Sequence, residues 1–107
     1  MAAAANETAA QLKLRSLVTA EQNYKAEHGG YGSLEQLIEK GFLQDPSKGK
    51  LSGYKYEIQV SKSSFQATAV PEEFGVTGKR SFFIDQSSVL RGRDRKGEKA
   101  QLNDPAI

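Results

Sequence analysis

Asn6-Glu7-Thr8-Ala9-Ala10-Gln11-Leu12-Lys13-Leu14-Arg15-Ser16-Leu17-Val18-Thr19-Ala20-Glu21-Gln22-Asn23-Tyr24-Lys25-Ala26-Glu27-His28 is the stretch on which the reading of this chain turns. It holds no proline or glycine, and Gly29-Gly30 ends it with residues free to take positive φ. A helix is therefore predicted over 6–28, about 33 Å long at ~1.5 Å per residue. Asn6 or Thr8 is the expected N-cap, with Glu7 facing the positive end of the dipole. Ala10, Leu14, Leu17, Glu21, Tyr24 and His28 recur at spacings of three and four, so they share one face, flanked by Val18 and Ala20. Glu21 is the charge inside that stripe and is expected to be hydrogen-bonded at the edge of a core. Leu12 falls nearly opposite the stripe, which makes it a candidate contact with another helix. Burial of Leu14, Leu17, Val18 and Tyr24, at roughly 1.5–3 kcal/mol each, outweighs helix propensity. The helix thus requires a layer folded against it.

That layer is written in the rest of the chain. Ser33 followed three residues later by Gln36 is a capping box, and Leu34, Leu37 and Ile38 form a one-sided stripe ending at Gly41, so 29–50 holds a short second helix and a polar connecting loop. From Gly53 the period becomes two. Tyr54, Tyr56, Ile58 and Val60 alternate with Lys55, Glu57 and Gln59, and Phe65, Ala67 and Ala69 alternate with Gln66, Thr68 and Val70. Ser61-Lys62-Ser63-Ser64 joins them as a hairpin. Lys79 to Ile84 and Ser88 to Arg91 are predicted as further strands, with a loop over 71–78. The expected architecture is α+β: a long N-terminal helix packed on an antiparallel β-meander of three to four strands over 53–92, with an irregular tail over 93–107.

At 107 residues, 37% apolar and 26% charged, the chain suits one domain with a modest core. The net charge of +2 does not by itself imply a nucleic-acid partner. Without cysteine there is neither a disulfide framework nor a thiolate metal site. Met1 to Ala5 is far short of the roughly 20 apolar residues that span a bilayer, and reads as an initiator methionine on a cut end.

Catalytic signatures are missing from this sequence. His28 stands alone at the predicted helix C-terminus, where a structural, carbonyl-capping role is expected. Gly29-Gly30-Tyr31-Gly32 lacks the spacing and lysine of a phosphate loop and is read as a tight helix-to-helix connection. No Gly-x-Ser-x-Gly elbow occurs, and Asp45, Asp85, Asp94 and Asp104 do not form a calcium loop. Arg91, Arg93, Arg95, Lys96 and Lys99 cluster against Asp94 and Glu98. No aromatic residue is interleaved there for base stacking, so a solvated loop or a charge contact between molecules is expected ahead of nucleic acid. No catalytic, cofactor or metal residue is assigned.

Taken in order, Leu14-Arg15-Ser16-Leu17, Ala20-Glu21-Gln22-Asn23-Tyr24 and Gly30-Tyr31-Gly32-Ser33-Leu34-Glu35-Gln36-Leu37 resemble the helix-to-head junction of bacterial type IV pilin-like proteins and type II secretion pseudopilins. The segments from Ser52 to Tyr56, Phe65 to Pro71 and Thr77 to Arg91 are similar to the head sheet of small members of that family. The resemblance covers most of residues 10–92. It implies a structural, non-enzymatic subunit of a pilus or pseudopilus, anchored in the inner membrane by a hydrophobic half-helix that this sequence lacks, held there and in the periplasm before assembly, and partnered by its own kind. On this resemblance Leu12, Arg91, Arg93, Arg95 and Lys96 are the candidate assembly contacts. A minor pilin acting in adhesion or DNA uptake is the alternative it leaves open. The family's C-terminal disulfide has no counterpart here, and its calcium loop finds no matching acidic segment in the basic tail.

Overall fold

A computed structural model describes residues 3–46 and 53–107. Helix α1 spans Ala3–His28 and α2 spans Leu34–Glu39; strands β1 (Tyr54–Val60), β2 (Phe65–Pro71), β3 (Arg80–Asp85) and β4 (Arg91–Asp94) follow. The strands form one antiparallel sheet in the order β1-β2-β3-β4, a meander in which every strand pairs with its neighbour in sequence. The expected α+β architecture is the one observed. Residues 47–50 of the expected polar loop lie outside the described residues.

The inner stripe of α1 is buried from Ala10 through Leu14, Leu17, Val18, Ala20 and Glu21 to Tyr24, while His28 at its end is exposed. It lies over β2 and β3. The sheet meets it with rows of side chains set by the register: Tyr56, Ala69, Phe82 and Gly92 stand side by side, and Ile58, Ala67 and Ile84 form the next row. Alanines at the centre of β2 leave room for Leu14 and Leu17, which are fully buried there beside Phe65 and Phe82. Small residues under the helix let leucine side chains fill the layer without a void. A smaller cluster of Ala20, Tyr24 and Leu37 ties α2 to the C-terminal end of α1.

The ends of the helices follow the expected chemistry at three of four places. Gly29 at φ 81° donates to the Lys25 carbonyl and stops α1, as Gly41 at φ 81° stops α2. The Ser33 and Gln36 side chains and backbones form the capping box of α2. The start of α1 differs. Asn6 and Thr8 are not caps but helix-interior residues, because the helix is already formed at Ala3. Thr8 Oγ1 bonds back to the Ala4 carbonyl, and buried Asn6 donates from Nδ2 to the Thr77 carbonyl at 3.0 Å. A long-range tertiary bond thus takes the Asn6 amide nitrogen, while its Oδ1, the atom a cap would use, is buried without a partner among the described residues.

The last two strands also shift along the chain, β3 by one residue and β4 by three. β4 begins at Arg91, three residues later than expected, because Ser88 at φ 66° cannot continue an extended chain and donates instead to the Asp85 carbonyl in a tight turn. β3 is buried on both faces, Ser81 and Phe83 as much as Phe82 and Ile84. The cause is the tail. The expected irregular tail of 93–107 begins two residues later, since Arg93 and Asp94 belong to β4; beyond Asp94 the chain has little regular structure, yet it crosses the outer face of the sheet: Ser81 Oγ donates to the Glu98 carbonyl at 2.6 Å, and Ala100 is buried. It then returns to the edge of β4, where Ala106 pairs with Arg91, Gly92 donates to the Pro105 carbonyl and Ile107 donates to the Leu90 carbonyl.

Candidate assembly surfaces

The outer face of α1 carries polar residues and small alanines such as Ala5 and Ala26, and Leu12 is its one exposed large apolar side chain among the described residues, with 62% of the residue surface exposed. Arg15, Ser16 and Thr19 surround it and are exposed as well. The leucine therefore stands where the sequence placed it, outside the packing of the head.

The basic cluster is divided by the fold. Arg95 donates from Nε and Nη2 to the carboxylate of Asp104, which is buried. The hydrogen bond from Arg95 holds the Asp104 carboxyl below the ordinary carboxylate range. Arg91 donates from Nη1 to the Asp104 carbonyl at 3.0 Å, so both arginines fasten the tail to β4. Lys99 forms an ion pair with Glu57 on β1. Arg93 and Lys96 are exposed and remain on the surface, with Lys96 in the left-handed region at φ 53° and its N–H on Asp94 Oδ1. A phosphate-binding patch of five cations is thus reduced by the internal partners of three of them. A cleft of about 530 Å³ lies between the outer sheet face and the tail, lined by Lys55, Glu57, Thr68, Arg95, Glu98 and Lys99. Its cations and anions offset one another, so it has no strong preference for one sign of charge.

Glu21 departs from the expectation of a core-edge carboxylate. It is fully buried. Its Oε1 accepts from Gly32 N–H at 2.8 Å, whereas Oε2 lacks a partner among the described residues. Burial pushes its pKa up to about 7 against the lowering effect of the Gly32 bond, and no charged neighbour acts on it. His28 has the structural role expected of it: Nδ1 lies 3.2 Å from the Tyr24 carbonyl, and the ring stacks on Tyr24 at 4.1 Å with Phe42 against both rings.

A clamp at the other end of α1 was not foreseen. Glu7 Oε2 accepts from Lys79 N–H at 2.9 Å and from Arg80 N–H at 3.3 Å, and Oε1 accepts from Arg80 Nε at 2.9 Å. Burial acts to raise the Glu7 pKa, but these bonds and the Arg80 charge outweigh it and leave it lowered. The only signal in the sequence was the acidic residue itself, which local rules assign to the helix dipole. Groups of His, Cys, Asp or Glu able to hold a metal ion do not occur among the described residues. Comparison of the chain with protein-family models, curated proteins and solved structures gives no match.

Proposed function

We propose that this chain is the head of a pilin-like subunit that acts by assembling into a filament rather than by catalysis. The observation that carries this reading is the division of α1 into two faces. Its 26 residues, about 39 Å at ~1.5 Å per residue, run the 40 Å length of the domain. One face is consumed by the sheet, and the other presents Leu12 on a polar surface. In a filament of such subunits the helices pack together and the sheets form the shell. Arg93 and Lys96, exposed at β4 and the following turn, supply charge contacts between neighbouring heads. In this reading the native chain is held by a hydrophobic half-helix in the bacterial inner membrane, faces the periplasm, and then passes into a pilus or secretion pseudopilus.

The test is made in the host with the full-length gene. Leu12→Ala, and separately the paired reversal Arg93→Glu with Lys96→Glu, are expected to reduce filaments seen by electron microscopy while leaving the purified head folded. Unchanged filaments in both variants remove these residues as contacts. The native codons ahead of Ala2 test the family: a leader ending in glycine, then about 20 apolar residues with a glutamate near their start, is expected. An unrelated upstream sequence overturns the reading.

A further inference from the structure

The segment from Gly29 to Gly41 carries α2 and is bounded at each end by a glycine at φ 81°, with no atom within 4 Å of where a side chain would begin. Both ends are open joints. Between them the segment packs chiefly on α1: Leu37 sits with Ala20 and Tyr24, and Tyr31 sets its ring against Phe65 at 4.9 Å. Among the described residues one hydrogen bond ties 30–41 to α1, from Gly32 N–H to Glu21 Oε1.

That bond ends on a group with two very different states. Glu21 is fully buried, and its Oε2 has no partner among the described residues. As a neutral acid it keeps the Gly32 bond through its carbonyl oxygen. As a carboxylate it holds a full charge in the core against a single amide, which strongly favours a return to water. The titratable groups on the surrounding elements do not relieve it. On α1, the Lys25 ammonium lies over the Tyr31 ring at 4.8 Å, and His28 stacks on Tyr24. On the segment and the loop after it, Glu35, Glu39 and Asp45 are acids and cannot offset a negative charge, and Lys40 is exposed. On β1, burial raises the Tyr56 phenol and keeps it neutral, and Glu57 pairs with Lys99; β2 carries no titratable side chain.

We infer that Glu21 is a proton-dependent pin on the segment 29–41: protonated it holds the segment against α1, and ionised it lets the segment swing out on Gly29 and Gly41 so that the carboxylate reaches water. The released form uncovers Tyr24 and Leu37, and α2, at six residues, is too short to persist undocked. Enclosure raises the Glu21 pKa from 4.5 to about 7, so the closed form is favoured below the ordinary value and loses ground as pH rises through about 7. The device belongs to the head alone and operates whether or not heads assemble.

Amide hydrogen exchange on the purified chain, followed by NMR at about pH 6 and about pH 8, tests it. The Gly32, Leu37 and Lys40 amides are expected to exchange through an opening that responds only weakly to urea, whereas amides at the centre of α1 and in β2 show the full urea dependence of unfolding. Corrected for base catalysis, the constant for that opening should rise about tenfold from pH 6 to pH 8 in the parent and stay flat in Glu21→Gln. In the parent, the Glu21 carboxyl and Gly32 amide shifts should titrate together near pH 7, a readout that decides the matter even where Glu21→Gln does not fold. A Glu21 carboxyl that titrates at its ordinary 4.5 overturns the inference. So does segment exchange that needs global unfolding, an opening constant equal at the two pH values, or a rise that persists in Glu21→Gln.

Discussion

Glu21 and Gly32 are joined at the core, with the carboxylate accepting the glycine N–H at 2.8 Å and the glycine packed close against the Tyr24 ring. The bond sets the path of the chain between the two helices. It also places an acid where its charge has no counterion among the described residues.

The first prediction follows from that acid. Its ordinary pKa of 4.5 rises to about 7 in the folded protein, so folding takes up a proton between those values. The stabilisation is full below the unfolded value and is lost as pH rises through the folded one, by up to the order of 3 kcal/mol. Glu21→Gln keeps an acceptor for Gly32 and removes the titration. Urea unfolding at about pH 5 and about pH 8 is expected to show a stability loss in the parent that is largely missing from the variant. Equal losses in both count against Glu21 as the group responsible.

A second concerns Gly32. A Cβ there would lie 2.9 Å from Tyr24 Cε1 and 3.0 Å from its Cζ. Gly32→Ala must displace the ring and is expected to cost about 1–3 kcal/mol. Since the two residues touch, combining Gly32→Ala with Tyr24→Leu should cost less than the sum of the single changes, and a double-mutant cycle measures the difference. Strict additivity would locate the clash elsewhere.

At the opposite end of α1, Glu7→Ala strips acceptors from the Lys79 and Arg80 backbone and from the Arg80 side chain. A loss of roughly 2–3 kcal/mol is expected, since these bonds involve an ionised acceptor. Because the folded carboxyl titrates below its ordinary value of 4.5, its contribution is present above that value and falls away as acid protonates it. Thermal melts at neutral and acidic pH should converge for parent and variant. A gap that persists into acid points to lost packing instead.

Asp104 holds the tail. Asp104→Asn is expected to speed hydrogen exchange at Gly92 and Ile107, whose amides bond to Pro105 and Leu90, while amides in the middle of α1 stay protected. Acid should release the same amides in the parent below the ordinary aspartate value of 3.8, because the folded carboxyl titrates lower still. Uniform deprotection across the domain would show that the tail is not a separate unit.

Much of this arrangement was legible because it is periodic. The stripe from Ala10 to Tyr24 repeats at helical spacing, the alternation in Tyr54 to Val60 and Phe65 to Val70 marks the strands, and Ser33 with Gln36 marks a helix start. What escaped reading depends on residues distant in sequence. Asn6 looks like a cap until Thr77 is brought to it, and Arg95 looks solvated until Asp104 lies beside it. Glu21 was visible as an odd charge, but its full burial depends on where Gly32 returns. Of the assembly candidates, Leu12, Arg93 and Lys96 keep open surfaces, while Arg91 and Arg95 have duties inside the chain.

The meander has a kinetic consequence. Each strand pairs with the next, so the sheet needs only short loop closures, whereas Asn6 and Glu7 bond to partners 71 to 73 residues away. Loop-closure entropy delays contacts of that separation. On that ground the strands are expected to pair before the helix docks, with the Glu7 clamp formed after the rate-limiting barrier. Removing it should raise the unfolding rate and leave refolding nearly unchanged. The clamp acts as a latch that sets how long a folded head survives rather than how quickly one forms.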